Sequence, residues 1–472
     1  MSALSLELTL EDVVAATGAT LVRSGPARVS GVTTDSRRIP AGALFIGLSG
    51  ERFDGSDYAP QALRDGAGAV LVSRAKAGAA LEGTAGAVLA VDDTLRALGL
   101  LARWHRRRTS ARVVAITGSN GKTTTKEMLA AVLGEVGATL ATEGNLNNEV
   151  GAPLTLLALR REHRFAVVEI GMNHEGEIGR LTAIVEPDVG VVTCAAAVHV
   201  EALGSVEGVS RAKGELYGGL RLDAVAVANA DDALMAERAQ WAGRRTCWFG
   251  RAAEEGVRLV EVRRHDHRGL SIRIASEGRM HDLELPVVGL HNAMNACAAF
   301  AAARAMGVPV EAIQSGLAKA RPPGRRLRLS DIPGTGASLL DDCYNGNPAS
   351  AKAALETLRE LVASDHRIAV LGDFRELGAH ETEGHREVGR AAAATSLKLL
   401  VAFGPVSHHI AAGALEAGLD AEAVFHTEDP AAAAERVRSV LSAGDLVLVK
   451  ASRGTRLERV SDLLVPASEE KH

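Results

Sequence analysis

Cysteine is scarce. Cys194, Cys247, Cys297 and Cys343 are the only four in 472 residues, and no two stand in C-x-x-C spacing. That argues against a disulfide framework or a zinc site and fits a reducing compartment. Neither sign of charge dominates: a net charge of −5 gives no general pull toward nucleic acid or an anionic membrane. No apolar run approaches the ~20 residues that span a bilayer. The opening MSALSLELTLEDVV carries acids where a signal peptide has basic residues before an apolar core. Aromatics are only 3% and arginine outnumbers lysine, which is consistent with a GC-rich genome and says little about function. The expectation is a soluble, cytoplasmic protein with no nucleic-acid partner and no membrane insertion.

What is present is an ordinary globular composition, 47% hydrophobic and 24% charged, in a chain too long for one core. The length suggests about three domains. In the first stretch, Ala43-Leu-Phe-Ile-Gly-Leu48 and Ala67-Gly-Ala-Val-Leu-Val72 read as strands. A helical pattern over Thr94–Trp104 then ends in the basic run Arg106-Arg-Arg108, read here as a solvated helix end before a linker. The middle stretch alternates apolar runs (112–117, 165–170, 188–193, 224–228) with helical patterns, as parallel strands buried on both faces require. The pattern breaks at Ala320-Arg-Pro-Pro-Gly324. Further strands are expected at 368–371, 399–403 and 446–450, with a helix opened by the N-cap Asp429 and Pro430. The fold class is α/β, with layered sheets and helices.

The clearest chemical signal is Gly118-Ser-Asn-Gly-Lys-Thr123, with Thr124 after it, between a strand and a helix. It is two residues shorter than the G-x-x-x-x-G-K-[ST] loop. Glycines let the backbone approach phosphate, the helix start supplies free N–H groups, Lys122 adds charge, and Thr123 can place a hydroxyl on Mg²⁺. Glu169 closes an apolar strand, where a carboxylate can hold magnesium or simply meet solvent. A lone His199 reads first as a satisfied structural residue and Lys213 as a surface lysine, unless the lysine shares that cleft, where burial would depress its pKa. Asn145, Asn147 and Asn148 crowd one loop. Asn292 and Asn295 can meet a base edge, or Asn292 can cap its helix, expected over 293–306. His408-His409 and His265-Asp-His267 can ligate a metal, with exposed histidines the simpler reading.

Together, Gly118–Thr123, Glu169, His199, Lys213, His291-Asn-Ala-Met-Asn295 and Pro323-Gly-Arg325 resemble, in order, the motifs of the Mur ligase family of ATP-dependent amide-bond-forming enzymes. Three further strings are similar to its D-alanyl-D-alanine-adding branch: Thr142-x-Gly-Asn-x-Asn-Asn148, Asp341-Asp-Cys-Tyr-Asn-Gly-Asn-Pro-Ala-Ser350, and Leu371-Gly-Asp-Phe-Arg-Glu-Leu-Gly378 followed by His385. The resemblance implies a small N-terminal α/β substrate domain (1–107), a central ATP-binding domain with a mostly parallel sheet (108–322), and a C-terminal Rossmann-like acceptor domain (323–472).

It also implies site roles. Lys122, Glu169, His199 and Lys213 would be catalytic, with Gly118, Ser119, Asn120, Gly121, Thr123 and Thr124 around the phosphates. Thr123, Glu169, His199 and a carbamylated Lys213 would hold two magnesium ions. Asn292 and Asn295 would meet adenine, Arg325 the phosphates and Asp342 the ribose. Ser36, Arg37, Phe45, Asp54 and Gly55 would face the uridine diphosphate. Thr142, Asn145, Asn147, Asn148, Tyr344, Asn345 and Asn347 would serve the peptide substrates. The implied partners are ATP, UDP-N-acetylmuramoyl-tripeptide and D-alanyl-D-alanine, acting on a monomer. Alternatives are a diaminopimelate- or lysine-adding relative, a folylpolyglutamate synthetase-like ligase, and a nucleotide-dependent binding module without turnover. Ala451 and Phe374 depart from the family's usual glycine and methionine.

Overall fold

The computed structural model describes residues 6–50, 53–78, 83–196, 203–321 and 324–466. Its strands form three large sheets and a short ribbon of Glu7–Thr9 with Arg28–Ser30. The first sheet has five strands in the order Thr20–Arg23, Ala87–Val91, Ala69–Ser73, Leu44–Ile46, Val32–Thr33. The second has nine. Thr139–Ala141, Phe165–Glu169, Arg112–Thr117, Val189–Val192, Val225–Asn229, Arg245–Gly250 and Val257–Asp266 run parallel, and an antiparallel meander through Gly269–Ser276 and Arg279–Leu285 completes it. The third has six, mixed only where Arg328–Ile332 pairs antiparallel with Ala337–Asp341. The chain is thus a three-domain α/β protein.

Continuous Val, Ala and Ile runs make the parallel strands, because helices cover both of their faces. On one face of the second sheet, Met128, Leu129, Val132 and Leu133 of helix Lys122–Gly134 pack with the alanine-rich helix His291–Ala305. Helix Val310–Lys319 approaches the first of these closely at a glycine: a Cβ on Gly316 would stand 2.4 Å from Val132 Cα. On the other face the core runs without a break into the first sheet through Ala97, Leu98 and Leu101 of helix Thr94–Arg107. Leu98 and Leu101 are fully buried, and burying each stabilises this junction by about 1.5–3 kcal/mol.

At the basic end of that helix Arg107 and Arg108 are exposed as expected, but Arg106 is buried. Arg103 and Arg107 both pair with Glu186, and the buried Arg106 lies 3.3 Å from Asp188. These acids follow helix Glu177–Val185, so the arginines staple the first domain to the second. The sequence pattern could not place distant acids opposite the run.

Strand Arg112–Thr117 lies between Phe165–Glu169 and Val189–Val192, and the chain crosses to one side of it and then the other. Such a switch point opens a crevice beyond the carboxyl ends of the strands.

Candidate active site

The phosphate loop turns on two glycines with left-handed backbone. Gly118 has φ +148°, and a Cβ there would meet Thr193 Oγ1 at 1.8 Å. Gly121 has φ +81°, and a Cβ would meet Asn295 Oδ1 at 2.2 Å. The loop is held by its neighbours. Thr193 Oγ1 donates to the Asn120 carbonyl (2.5 Å), and the Ala196 N–H donates to Ser119 Oγ (2.8 Å). Helix Lys122–Gly134 starts directly after Gly121, so its free N–H groups face the loop. Lys122 Nζ donates to the Gly118 carbonyl at 2.7 Å. Burial lowers its pKa, against the opposing pull of Glu169.

Glu169 ends its strand 2% exposed. Its Oε1 accepts from Asn147 Nδ2 (2.8 Å), its N–H donates to Thr142 Oγ1 (2.9 Å), and its Oε2 is buried with no hydrogen-bond partner. A buried anionic oxygen left open is costly unless a cation meets it. Lys126, fully buried one turn beyond Lys122, donates to the Thr142 carbonyl (2.5 Å) and pairs with Glu127 (2.7 Å), which fixes the asparagine loop from behind. Lys213 is 2% exposed, and its pKa is pushed well below 10.5 by burial and by the charge of Lys122.

Lys122, Asn147 and Glu169 open into a cleft of about 450 Å³ between the second and third sheets, whose lining does not include Lys213, Lys126 or Thr142. Residues 119–124 form its floor, with Asn145, Asn147 and Glu169 beside them, and Asn292 and Asn295 form one wall. Asp342, Tyr344, Asn345, Asn347 and Lys450 come from the third domain, and Asn347 Nδ2 donates to Asn120 Oδ1 at 3.2 Å across the gap. Asn292 does not cap its helix. It lies inside His291–Ala305, where its Nδ2 donates to the Val288 carbonyl (2.7 Å) and its Oδ1 accepts from Asn295 (2.8 Å). Lys450 Nζ donates to Asp342 Oδ2 at 2.6 Å.

Several expected positions fall elsewhere. Arg325 is not among the cleft-lining residues: it is held by Asp341 (2.8 Å) and by Asp462. The next residue, Arg326, lines the cleft instead, with its guanidinium 4.6 Å above the Tyr344 ring. Asn148 is turned away as a cap, accepting from the Gly151 N–H at 2.8 Å. Phe45, expected at a ligand-facing surface, is 1% exposed and packs with Ala59, Ala62 and Val70, so its own domain's core has claimed it. Asp54 accepts from the Ser56 N–H (2.9 Å), Gly55 N–H donates to the Leu48 carbonyl (2.8 Å), and Arg37 forks onto Asp35. These residues and Ser36, expected at a uridine-diphosphate face of the first domain, lie apart from the lining of this cleft. His199 lies outside the described residues. His265 and His409 are half-buried and His267 and His408 exposed, and among the described residues no cluster of three His, Cys, Asp or Glu could hold a metal. Sequence reasoning missed Lys126, Arg326 and Lys450, whose only signals were a lysine in a helical Thr-Thr-Thr-Lys-Glu string, a doubled arginine and a lysine closing an apolar strand.

Residues 28–106, 116–303 and 325–453 match, in turn, the families described as "Mur ligase family, catalytic domain", "Mur ligase middle domain" and "Mur ligase, glutamate ligase domain". The chain belongs to the Mur ligase family. It is 39% identical over 436 residues to the UDP-N-acetylmuramoyl-tripeptide–D-alanyl-D-alanine ligase of Escherichia coli (strain K12), covering 91% of this chain and 92% of that protein. The crystal structure of MurF from Acinetobacter baumannii superposes with a TM-score of 0.89 at 32% identity, covering 98% of this chain and 99% of that one. The MurF ligase from Thermotoga maritima in complex with ADP superposes at 0.80 with 27% identity, covering 92% and 96%.

Proposed function

We propose that this chain is an ATP-dependent, ADP-forming ligase that joins D-alanyl-D-alanine to UDP-N-acetylmuramoyl-tripeptide in peptidoglycan precursor synthesis. The observation that carries this reading is the cleft itself, where a phosphate loop, a buried carboxylate with an open oxygen, and third-domain asparagines converge. The relatives' names and their coverage of nearly the whole chain support the choice of substrates.

A peptide carboxylate is ionised at neutral pH and resists attack by an amine. Transfer of the γ-phosphoryl group to it releases ADP and makes an acyl phosphate. The dipeptide's neutral amine then adds to the acyl carbon, and the tetrahedral intermediate expels phosphate to leave the amide. Lys122 and the loop N–H groups hold the phosphates while negative charge shifts among their oxygens. Arg326, facing the same space, is placed to share that task. Asn292 and Asn295 hold the base, and Asp342, oriented by Lys450, the ribose.

Magnesium fits these residues: Glu169 presents an unpartnered oxygen in the cleft that also holds Thr123. There it would offset phosphate charge. Burial and the charge of Lys122 disfavour the Lys213 ammonium, which favours the neutral amine that carbamylation by CO₂ requires. Residues 1–107 are assigned to the nucleotide-linked substrate, 108–322 to ATP and 323–472 to the dipeptide. The test is mass spectrometry of products from the tripeptide nucleotide, ATP and D-alanyl-D-alanine, alongside ADP release with a panel of amino acids. A pentapeptide product is expected. Turnover with diaminopimelate or lysine, and none with the dipeptide, would overturn the assignment.

A further inference from the structure

His265 stands on strand Val257–Asp266 of the second sheet, away from the cleft lining, and its side chain is only 9% exposed. Its Nε2 accepts a hydrogen bond from the Gly289 N–H at 3.0 Å. The proton of the neutral ring therefore sits on Nδ1, which lies 3.2 Å from Glu360 Oε2. Glu360 belongs to helix Pro348–Leu361 of the third domain, whose opposite end carries Asn347 and Ser350 at the cleft.

Gly289 is an equally loaded point. Its φ is +91°, and a Cβ there would stand 2.7 Å from His291 Cε1 and 3.0 Å from Thr357 Oγ1 of that same helix. Val287 before it packs into the core of the second sheet and Val288 into that of the third. The Val288 carbonyl holds Asn292, which holds Asn295.

We propose that His265 is a positioning residue: as a neutral imidazole it ties the third-domain helix to the corner that sets the two nucleotide-facing asparagines. The inference rests on the nucleotide cleft argued above. Protonation would put a hydrogen on Nε2 opposite the Gly289 N–H, donor against donor, while drawing the ring toward Glu360. The groups facing the ring are Glu360, with Glu356 and Arg359 acting on it from the same helix, Asp266 on its own strand, and His291 on the nucleotide helix. Burial opposes the charged form and Asp266 favours it, with the balance below 6.5, so the neutral tie is the working state near neutrality.

The experiment is calorimetric binding of ADP to the full chain at pH 8 and pH 5.5, with wild type, His265→Ala and His265→Gln. Alanine leaves Gly289 without an acceptor, and ADP affinity is expected to fall about tenfold at pH 8, equivalent to about 1.4 kcal/mol. Glutamine offers an amide oxygen that does not titrate. It is expected to bind within about threefold of wild type at pH 8 and to escape the additional weakening that protonation of His265 brings to wild type as the pH is lowered. Wild-type affinity in both variants at both pH values overturns the proposal, as does glutamine following the wild-type pH dependence. If the alanine variant does not fold, the glutamine comparison decides alone. Failure of wild type to bind ADP overturns the nucleotide reading and this one with it, whereas normal wild-type binding with unaffected variants overturns only this one.

Discussion

Lys122 donates to the carbonyl of Gly118 and so shapes the loop it would serve, while burial makes its charge expensive until phosphate meets it. Lys122→Ala should lower turnover by at least ~100-fold and shift the melting temperature by only a few degrees, as rate assays and thermal melts would show. Lys213 gives a different signature. Its folded pKa lies well below 10.5, so between those two values the unfolded chain holds a proton that the folded chain lacks. Stability then rises with pH through that window and falls as acid is added. In bicarbonate-free buffer, Lys213→Met should raise the melting temperature at pH 7, with a gain that vanishes toward pH 10.5. Lys213→Ala should lose activity and regain part of it with small carboxylates, which can stand in for a carbamate. At this scale the sequence was informative where chemistry is local, as with Gly118, Gly121, Lys122 and Glu169. It did not foresee where tertiary packing places a side chain: Phe45 lies in a core and Arg325 against two acids, while Arg326 lines the cleft.

Among the elements, strands were the most legible, because burial on both faces demands unbroken apolar runs. Arg112–Thr117, Leu399–Phe403 and Leu446–Lys450 fall where their runs begin and end. Helix starts were legible where a cap is local, as at Asp429, and shifted where no cap exists: the nucleotide helix begins at His291, two residues early. Helix Thr94–Arg107 was recognisable but its partners were not, because ion pairs across some 80 residues leave no periodic trace. Those partners carry a pH dependence. Arg107 and Arg103 hold the Glu186 carboxyl down to about 2 from 4.5. Its contribution is complete above pH 4.5 and is lost as pH falls toward 2. Solvent screening of the half-exposed Arg107 limits it to about 1–2 kcal/mol. Glu186→Gln should therefore lower stability to urea at pH 7 and converge with wild type near pH 2.

Across the whole molecule, the first sheet shares a core with one face of the second, while the third sheet is closed by cores of its own that reach the second domain at Val288. Scanning calorimetry should show the first two domains melting together and the third as a separable transition. A single cooperative transition under all conditions would contradict that division. The domain count was legible from length and from the proline break near residue 322, but the unequal coupling was not, because it depends on which helix faces meet. The cleft's two walls therefore belong to domains with separate cores, joined across the gap by contacts such as Asn120 with Asn347. For inhibitor design, a molecule that touches one wall competes only by occupancy. One that grips both would have to wait for the walls to separate before leaving, so bridging compounds should be distinguished by long residence times more than by fast capture.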